Sequence, residues 1–499
     1  MADALSIIAL KQKLLTGELD VVEHTEMILQ EAEKLNPSYH YFNVISSNLA
    51  RVQAQELRRE IQTALKLKDK KKLQVLQQKK LLGIPISVKD AICVKGVEST
   101  AGSRILKGYL PPFNATVISR SVNEGGIIIG KTSQDEFGFG GFNVNVGLGY
   151  QVPKNPFDKN RTTGGSSGGG SGFTQLTKYT HVSLTESTGG SIVEPAAFCG
   201  VVGLCPTYGR VSRYGLMDFA NSLDKIGATG KTTADVAVLL QSIAGFDQKN
   251  ATTADVPVED YSSFVGKPIK GLKIGVVSVA FGDGTDSFVA ERVWKGIKSL
   301  ESQGASYEEV NLDLPITMGV PTYYLIATSE ASTNLAKYCG LRYGKHEPLE
   351  GSFNEYFTQV RSKNLGEEAK RRIMLGTFAR MAGYRDACYL QALKVRTKMI
   401  EEYKKLFTKY DVLMTPTAPI VAPKFDEIAK LTPLQHYMID IFTVGPNIAG
   451  LPHISVPVGK QNGMPVGALA IADHFKESTL IKLGGALEKT CGAGQCACD

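Results

Sequence analysis

Apolar residues in the first eighty positions recur at the three- and four-residue spacing of amphipathic helices. One such face is formed by Val21, Thr25, Ile28, Leu29 and Ala32. Asp20, with Glu23 three residues later, has the arrangement of a capping box at a helix start, and Pro37 lies just beyond the expected helix end. We therefore predict helices over most of residues 1–80.

After this segment the pattern changes to short β-branched runs punctuated by glycine. These runs read GIPISVKD from position 83, GGIIIGKT from position 125 and FCGVVGL from position 198. Further along the chain, strand-like and helix-like segments alternate, as in KGLKIGVVSVAFG, RVWKGIKSLESQG, AKRRIMLGTFARMAG and YDVLMTPTAPI. Alternation over several hundred residues predicts an α/β architecture.

Between the strand-like runs lies a glycine- and serine-rich stretch at positions 155–172, NPFDKNRTTGGSSGGGSG, which we predict to be a loop. The sequence has no internal repeat and no long linker. We therefore expect one large catalytic domain over residues 81–490, with residues 1–80 as its helical N-terminal extension and residues 491–499 as a Cys-rich flexible tail.

Length and composition are those of a globular protein and argue against an integral membrane protein. The chain has 499 residues, of which 43% are hydrophobic, and a formal net charge of +7. No run reaches the ~18 to 20 apolar residues that a membrane span needs, which argues against an integral membrane protein. The N-terminus lacks the pattern of a signal peptide, so we expect a cytoplasmic protein with no membrane partner.

The positive charge is concentrated in one segment. Residues 58–80 contain nine Lys and Arg residues but two acidic ones, so this segment carries the whole net charge. A basic stretch on a helix is usually a solvated face, and a contact with RNA or a protein partner is the alternative interpretation.

Eight cysteines are scattered mostly singly through apolar surroundings, which favours reduced thiols over a disulfide framework. Cys491, Cys496 and Cys498 cluster near the C-terminus, but no nearby histidine completes a zinc-ligand set. We predict no metal site.

Two short motifs suggest other chemistries. GGIIIGKT matches the phosphate-loop pattern, but its variable positions belong in a strand, and the residues that follow make a poor helix. GGSSG at positions 164–168 matches the nucleophile elbow of Ser-His-Asp hydrolases, with several histidines downstream. Its serine lies in a long glycine-serine stretch and not in a sharp strand-to-helix turn, so neither motif is favoured.

Three elements occur in order along the chain: Lys89 in GIPISVKD, Ser166 and Ser167 in TTGGSSGGG, and Ser191 in STGGSIVEPAAFCG. Each alone is weak evidence, but together they resemble the amidase signature family, whose members hydrolyse amides with a Ser-Ser-Lys triad. The resemblance covers nearly the whole chain. It implies a large mixed central β-sheet flanked by helices on both faces.

The resemblance also implies a role for each residue. Ser191 is the nucleophile, Ser166 the bridging serine after a cis peptide bond at Gly165, and Lys89 the base, with Ser167 left open as the bridging residue. Such a base must be buried and largely neutral. The backbone N–H groups expected to form the oxyanion hole are those of Thr188, Gly189, Gly190 and Ser191.

Other segments, among them SEASTNLAKYCGLRYG and NIAGLPHISVPVG, resemble the A-subunit family of glutamyl-tRNA(Gln)/aspartyl-tRNA(Asn) amidotransferases. The resemblance implies a heterotrimer: this chain hydrolyses glutamine, the B-subunit uses ATP and Mg to amidate misacylated tRNA and contacts most of the tRNA, and the C-subunit braces the pair. Arg372 is then expected to bind the glutamine α-carboxylate and Asp440 the α-amino group, with Tyr323 lining the pocket. Opposite charges suit a zwitterionic substrate.

The sequence departs from the family pattern next to the nucleophile. Ser187 and Val193 stand where the family has Asp and Arg, and we interpret this as the joint loss of a charge pair. Two alternatives stay open: a free-standing amidase acting on another small amide and, because of these departures, a non-catalytic homologue.

Overall fold

The architecture is taken from a computed structural model, which describes residues 5–491. Eleven strands in this range form one sheet: β1 (Phe42–Ile45), β2 (Pro85–Lys89), β3 (Ile127–Thr132), β4 (Val182–Ser187), β5 (Val202–Cys205), β6 (Lys225–Gly230), β7 (Lys273–Val277), β8 (Ser306–Val310), β9 (Val412–Pro416), β10 (His453–Gln461) and β11 (Met464–Ala472). Their order across the sheet is β1-β3-β2-β4-β6-β5-β10-β11-β9-β7-β8. Parallel and antiparallel pairs alternate in blocks, so the sheet is mixed, as predicted.

Helices cover both faces of this sheet. Every residue of β2, β3, β4 and β11 is buried. Since successive side chains of a strand point to opposite faces, both faces must be covered. Among the helices that touch the central strands are those at residues 193–199 and 477–491.

Eighteen α-helices lie within the described range. They are α1 (Ile7–Thr16), α2 (Val21–Tyr39), α3 (Ser47–Lys66), α4 (Lys70–Gln78), α5 (Thr116–Asn123), α6 (Gly168–Leu176), α7 (Val193–Cys199), α8 (Thr233–Ile243), α9 (Ser287–Ser302), α10 (Asp313–Thr317), α11 (Gly319–Asn334), α12 (Phe353–Asn364), α13 (Glu367–Ala379), α14 (Gln391–Phe407), α15 (Phe425–Ile428), α16 (Pro433–Tyr437), α17 (Val444–Ile448) and α18 (Glu477–Cys491). None of the helices in residues 5–491 is long and apolar enough to cross a membrane.

The N-terminal region is helical, with two differences from the prediction. Asp20 caps α2 by accepting hydrogen bonds from the N–H groups of Val22 and Glu23, but the helix continues through Pro37 to Tyr39 instead of stopping before it. A short strand, β1, was not predicted, and it pairs with β3 at the edge of the sheet. The region is therefore joined to the catalytic sheet by main-chain hydrogen bonds.

The glycine-rich stretch is not a loop throughout, and this is a correction to the sequence analysis. Its last five residues, GGGSG, form the first half of α6, and the whole helix is buried. A Cβ on Gly170 would lie 2.4 Å from the Ser183 hydroxyl, and one on Gly172 would lie 2.3 Å from the Tyr41 ring. Glycine here permits close packing of a helix, which outweighs its low helix propensity.

The other strand-like runs are placed as follows. GIPISVKD and GGIIIGKT contain β2 and β3, as predicted, whereas in FCGVVGL the first two residues end α7 and only the last three belong to β5. Lys131 in the phosphate-loop-like motif is fully buried, and its Nζ donates to the Asp90 carbonyl and to Ser99. The motif therefore offers no lysine to a phosphate.

The basic segment spans the end of α3 and all of α4. Three of its cations form ion pairs, namely Arg58 with Asp20, Lys79 with Glu60 and Lys80 with Glu124. Lys70, Lys71 and Lys72 are exposed in the first turn of α4. Of the Cys-rich tail, Cys491 ends α18, and the rest lies outside the described residues.

Candidate active site

Lys89 is the last residue of β2, and its side chain is completely buried. Its Nζ donates three hydrogen bonds, to Ser166 Oγ at 2.7 Å, to the Glu186 carbonyl at 2.8 Å and to Glu186 Oε2 at 2.8 Å. All three donor positions of an ammonium group are thereby used. The predicted burial is present, and the Glu186 carboxylate is a partner that the sequence analysis did not include.

Ser166, and not Ser167, contacts the lysine. A cis peptide bond joins Gly165 to Ser166, at the position that the resemblance implies. Ser167 Oγ instead donates to the Glu186 carbonyl at 3.0 Å. A Cβ on Gly165 would lie 2.2 Å from the Asp135 carboxyl, so only glycine fits at this position.

Ser191 lies on the short segment between β4 and α7, close to the end of the strand next to β2. Its exposure is 7%, and its carbonyl accepts a hydrogen bond from the Ser167 N–H at 3.3 Å. Within residues 5–491, the N–H groups of Thr188, Gly189, Gly190 and Ser191 donate no hydrogen bond to the protein. They are therefore available to an oxygen atom of a ligand, as an oxyanion hole requires.

Glu186, the carboxyl partner of Lys89, is connected through the Thr188 hydroxyl to a second buried carboxyl, that of Asp224. The Thr188 hydroxyl is 3.0 Å from Glu186 Oε1 and 2.8 Å from Asp224 Oδ1. Burial and the nearby Glu186 charge raise the pKa of Asp224 well above its ordinary value. Since one hydroxyl has one proton to donate, a protonated Asp224 can donate to Thr188 while Thr188 donates to Glu186.

Arg372, on α13, is 2% exposed and lies at a cavity of about 210 Å³. Its Nε donates to Glu368 at 2.8 Å. Four aromatic rings surround its guanidinium group at 5.0 to 5.7 Å, those of Phe139, Phe219, Tyr324 and Tyr437. Glu368 forms an ion pair with one edge of the guanidinium group, and the rings hold the group in place. Within residues 5–491 the two terminal nitrogens of Arg372 donate no hydrogen bond, so they can still bind an anionic group of a ligand.

Asp440 lies on the short 3₁₀ turn Met438–Phe442 and is also buried. Its Oδ2 accepts a hydrogen bond from the Tyr324 hydroxyl at 3.3 Å. Tyr324 is therefore the residue that links Asp440 to the Arg372 cavity, and the sequence analysis missed it. Tyr323 packs against the segment between β4 and Ser191, since a Cβ on Gly189 would lie 3.0 Å from its ring.

A second acidic residue, Glu194, lies beside Asp440. It is in the first turn of α7 and has no exposed surface. A Cβ on Gly190 would lie 3.0 Å from Glu194 Oε2 and 3.1 Å from Asp440 Oδ1, so both carboxyls face the loop that precedes the nucleophile. The sequence analysis missed Glu194, although a glutamate inside the apolar run IVEPAAFCG is itself a signal of a buried charge.

The two departures from the family pattern lie at buried positions. Ser187 accepts a hydrogen bond from Asn447 Nδ2 at 3.1 Å. Val193 packs in an apolar cluster with Ile192 and Leu413. Buried charged groups remain beside both positions. Ser187 pairs across the sheet with Lys225, whose Nζ donates to the Leu451 carbonyl. Glu194, next to Val193, is buried and has no hydrogen-bond partner within residues 5–491.

Two of the histidines that a Ser-His-Asp mechanism could use, His181 and His453, are engaged elsewhere, whereas His436 lines the cavity next to Arg372. His181 Nε2 accepts a hydrogen bond from the Ser87 N–H, and His453 Nδ1 contacts the Leu451 carbonyl. Burial lowers the pKa of His181 to about 3. In the part of the chain that the structure describes, no cluster of three or more His, Cys, Asp or Glu side chains could hold a metal ion.

Comparison with known proteins identifies relatives over the full length of this chain. The family model "Amidase" matches residues 23–481. The A-subunits of the glutamyl-tRNA(Gln) amidotransferases of Microcystis aeruginosa and Carboxydothermus hydrogenoformans are 42% and 43% identical, with 97% of both chains covered. That of Koribacter versatilis is 46% identical over 83% of this chain and 85% of its own.

Solved structures agree with this assignment. The crystal structure of the A-subunit of the Thermotoga maritima glutamyl-tRNA(Gln) amidotransferase superposes with a TM-score of 0.78 at 33% identity and covers 99% of this chain and 97% of its own. The peptide amidase of Stenotrophomonas maltophilia superposes with a TM-score of 0.80 at 25% identity, with 99% and 98% covered. The chain therefore belongs to the amidase family, in the group of the glutamyl-tRNA(Gln) amidotransferase A-subunits.

Proposed function

We propose that this chain is the glutamine-hydrolysing component of a tRNA-dependent amidotransferase. The observation that carries the proposal is the buried contact between Lys89 Nζ and Ser166 Oγ, at the foot of the loop that ends in Ser191. In the proton-accepting state Lys89 is a neutral amine that donates to the two Glu186 oxygens and accepts a hydrogen bond from Ser166 Oγ. Ser166 then links this base to Ser191, whose loop has unoccupied backbone N–H donors. The arrangement suits the cleavage of a poorly electrophilic amide.

In the proposed reaction, Ser191 Oγ attacks the side-chain amide carbon of glutamine, and its proton passes through Ser166 to Lys89. The carbonyl oxygen becomes an oxyanion that free N–H groups of residues 188–191 stabilise. The C–N bond then breaks, and the nitrogen takes the proton back and leaves as ammonia. Water hydrolyses the remaining γ-glutamyl ester by the same proton route and releases glutamate.

Substrate selection in this proposal uses the two ends of the amino acid. Arg372 pairs with the α-carboxylate and Asp440 with the α-amino group. The cavity next to Arg372 is smaller than the roughly 300 to 1,000 Å³ of drug-sized ligand sites, which suits one small polar molecule.

The partners are part of the proposal. The B-subunit uses ATP and Mg to activate misacylated tRNA and receives the ammonia, while the C-subunit braces the other two chains of the heterotrimer. The product of this assembly is Gln-tRNA(Gln), Asn-tRNA(Asn) or both. In this chain the phosphate-loop-like motif is a strand with a buried lysine, which supports placing the nucleotide on the B-subunit.

The proposal is tested by measuring ammonia release from glutamine and from simple amides, for the chain alone and with the B- and C-subunits of the same source. We expect glutamine hydrolysis in the complex and little turnover of simple amides. Strong turnover of simple amides by the chain alone, with no glutamine hydrolysis in the complex, would establish a free-standing amidase instead.

A further inference from the structure

The carboxyls of Glu194 and Asp440 lie next to each other, because a Cβ on Gly190 would be 3.0 Å from Glu194 Oε2 and 3.1 Å from Asp440 Oδ1. Both oxygens of Glu194 are buried and receive no hydrogen bond from any N–H or O–H group of residues 5–491. Asp440 receives one, from the Tyr324 hydroxyl. A buried carboxylate without a donor is costly, so this arrangement needs either a proton or a ligand to complete it.

The charges around the pair make one shared proton the favoured state. Two adjacent carboxyls can hydrogen-bond to each other only when one is protonated, because neither has a donor otherwise. Burial and the adjacent Asp440 charge raise the pKa of Glu194 well above its ordinary value. Burial also raises the pKa of Asp440, although Glu194, Arg372 and Tyr324 oppose that effect. The pair is therefore best described as one negative charge shared by two carboxyls.

The position of the pair points to what it binds. Gly141 lines the cavity that contains Arg372, and a Cβ on Gly141 would lie 3.3 Å from Glu194 Oε1. On the other side, both carboxyls face Gly190, next to Ser191. The pair thus lies between the candidate carboxylate-binding arginine and the candidate nucleophile. A cationic group attached to the substrate would supply the missing donors at this place.

We propose that Glu194 is a specificity-determining residue: with Asp440 it forms a carboxyl pair of charge −1 that receives the α-ammonium group of the substrate amino acid. The inference rests on the proposed function, since it concerns how glutamine is told apart from amides without an α-amino group. A single shared charge matches the single charge of the ammonium group. A pair of charge −2 would instead place a net negative charge beside the oxyanion hole.

The test compares two substrates in the complete complex: glutamine and 4-carbamoylbutanoate, which is glutamine without its α-amino group. Glu194→Leu keeps a similar volume but removes the polar atoms, and it should raise the KM for glutamine about 10- to 100-fold while the KM for 4-carbamoylbutanoate changes little. Glu194→Gln can still donate to Asp440 and accept from an ammonium group. Its KM for glutamine should stay within about threefold of the wild type.

The outcomes separate this inference from the proposed function. If the wild-type complex hydrolyses no glutamine, the proposed function fails. If it does, but Glu194→Leu changes both KM values equally or neither, the inference fails. Should the Leu variant not fold, infrared difference spectroscopy between the wild type and Glu194→Gln at pH 7 still decides the point. A protonated-carboxyl band lost in the variant supports the shared proton, and its absence overturns it.

Discussion

The Nζ atom of Lys89 lies 2.8 Å from Oε2 of Glu186, and both side chains are almost completely buried. The expected base of a Ser-Ser-Lys mechanism therefore has a carboxyl partner as well as a serine partner. If the contact is an ion pair, removing the carboxylate leaves an unpaired buried charge. If Lys89 is neutral, little charge interaction is lost. The protonation state of Lys89 can therefore be inferred from how much the free energy of unfolding falls when the Glu186 carboxylate is removed.

Glu186→Gln should lower the free energy of unfolding by about 3 to 5 kcal/mol if an ion pair is present, because it strands a buried ammonium group. The measurement is urea unfolding of the wild type and the variant. The matched control is Glu60→Gln, which removes the exposed partner of Lys79 and should cost no more than about 1 kcal/mol. Equal small costs for both variants would contradict an ion pair at Lys89.

The two adjacent serines make a matched pair for the proton relay. Ser166→Ala should reduce kcat for glutamine hydrolysis by about 10²- to 10⁴-fold, because it removes the hydroxyl that Lys89 contacts. Ser167→Ala should retain most of the activity, since its hydroxyl donates to a backbone carbonyl. Steady-state kinetics on both variants checks this. The opposite order of effects would make Ser167 the bridging residue.

Arg372→Ala should chiefly raise the KM for glutamine, by about 10- to 100-fold, because the substrate carboxylate loses its charged partner. Arg380 follows the same helix and contacts Ser332, away from the cavity, so Arg380→Ala serves as the control. The KM of the control should stay close to that of the wild type. An unchanged KM in Arg372→Ala would remove this residue from the binding site.

The buried carboxyl of Asp135 should make the free energy of unfolding depend on pH. Burial raises its pKa to about 7, although the N–H groups of Asn145 and Asn143 and the charge of Arg372 oppose the shift. The folded protein therefore holds a proton that the unfolded chain releases near pH 4. The stability from this group is complete below about pH 4 and is lost as the pH rises through 7.

The corresponding measurement is the unfolding free energy of the wild type relative to Asp135→Asn, which cannot titrate, at several pH values between 5 and 8. The wild type should lose stability relative to the variant over this range, by roughly 2 to 3 kcal/mol. Titration of other groups cancels in the difference. A difference that does not vary with pH would show that Asp135 is ionised in the folded protein.

Much of the fold could be predicted from the sequence because its signals are local, whereas the roles of Lys89, Ser166 and Ser191 came from the family resemblance. The β-branched run that ends in Lys89 specifies a buried strand, and this strand was found where expected. The bridging role could not be assigned between Ser166 and Ser167, because that choice depends on which hydroxyl faces Lys89 across 77 residues of chain. Local sequence carries no information on such a distance.

Other features could not be predicted because distant residues decide them. From sequence alone, the glycines of α6 predict a loop. In the structure, Tyr41 and Ser183 occupy the space that larger side chains at these positions would need, so glycine is required for the helix to pack there. Likewise, Glu186 and Glu194 resemble ordinary charges next to a motif, and only their burial identifies them as part of the site. Burial is set by tertiary packing, which overrides local propensity.

The central claim is that glutamine acylates Ser191. The most direct measurement is mass spectrometry of the active-site peptides after the complete complex is mixed with glutamine and quenched rapidly with acid. We predict that the peptide containing Ser191 gains the mass of a γ-glutamyl group, and that Ser191→Ala abolishes both this adduct and ammonia release. Ammonia release that persists in Ser191→Ala, or an adduct on Ser166 or Ser167 instead, would contradict the account.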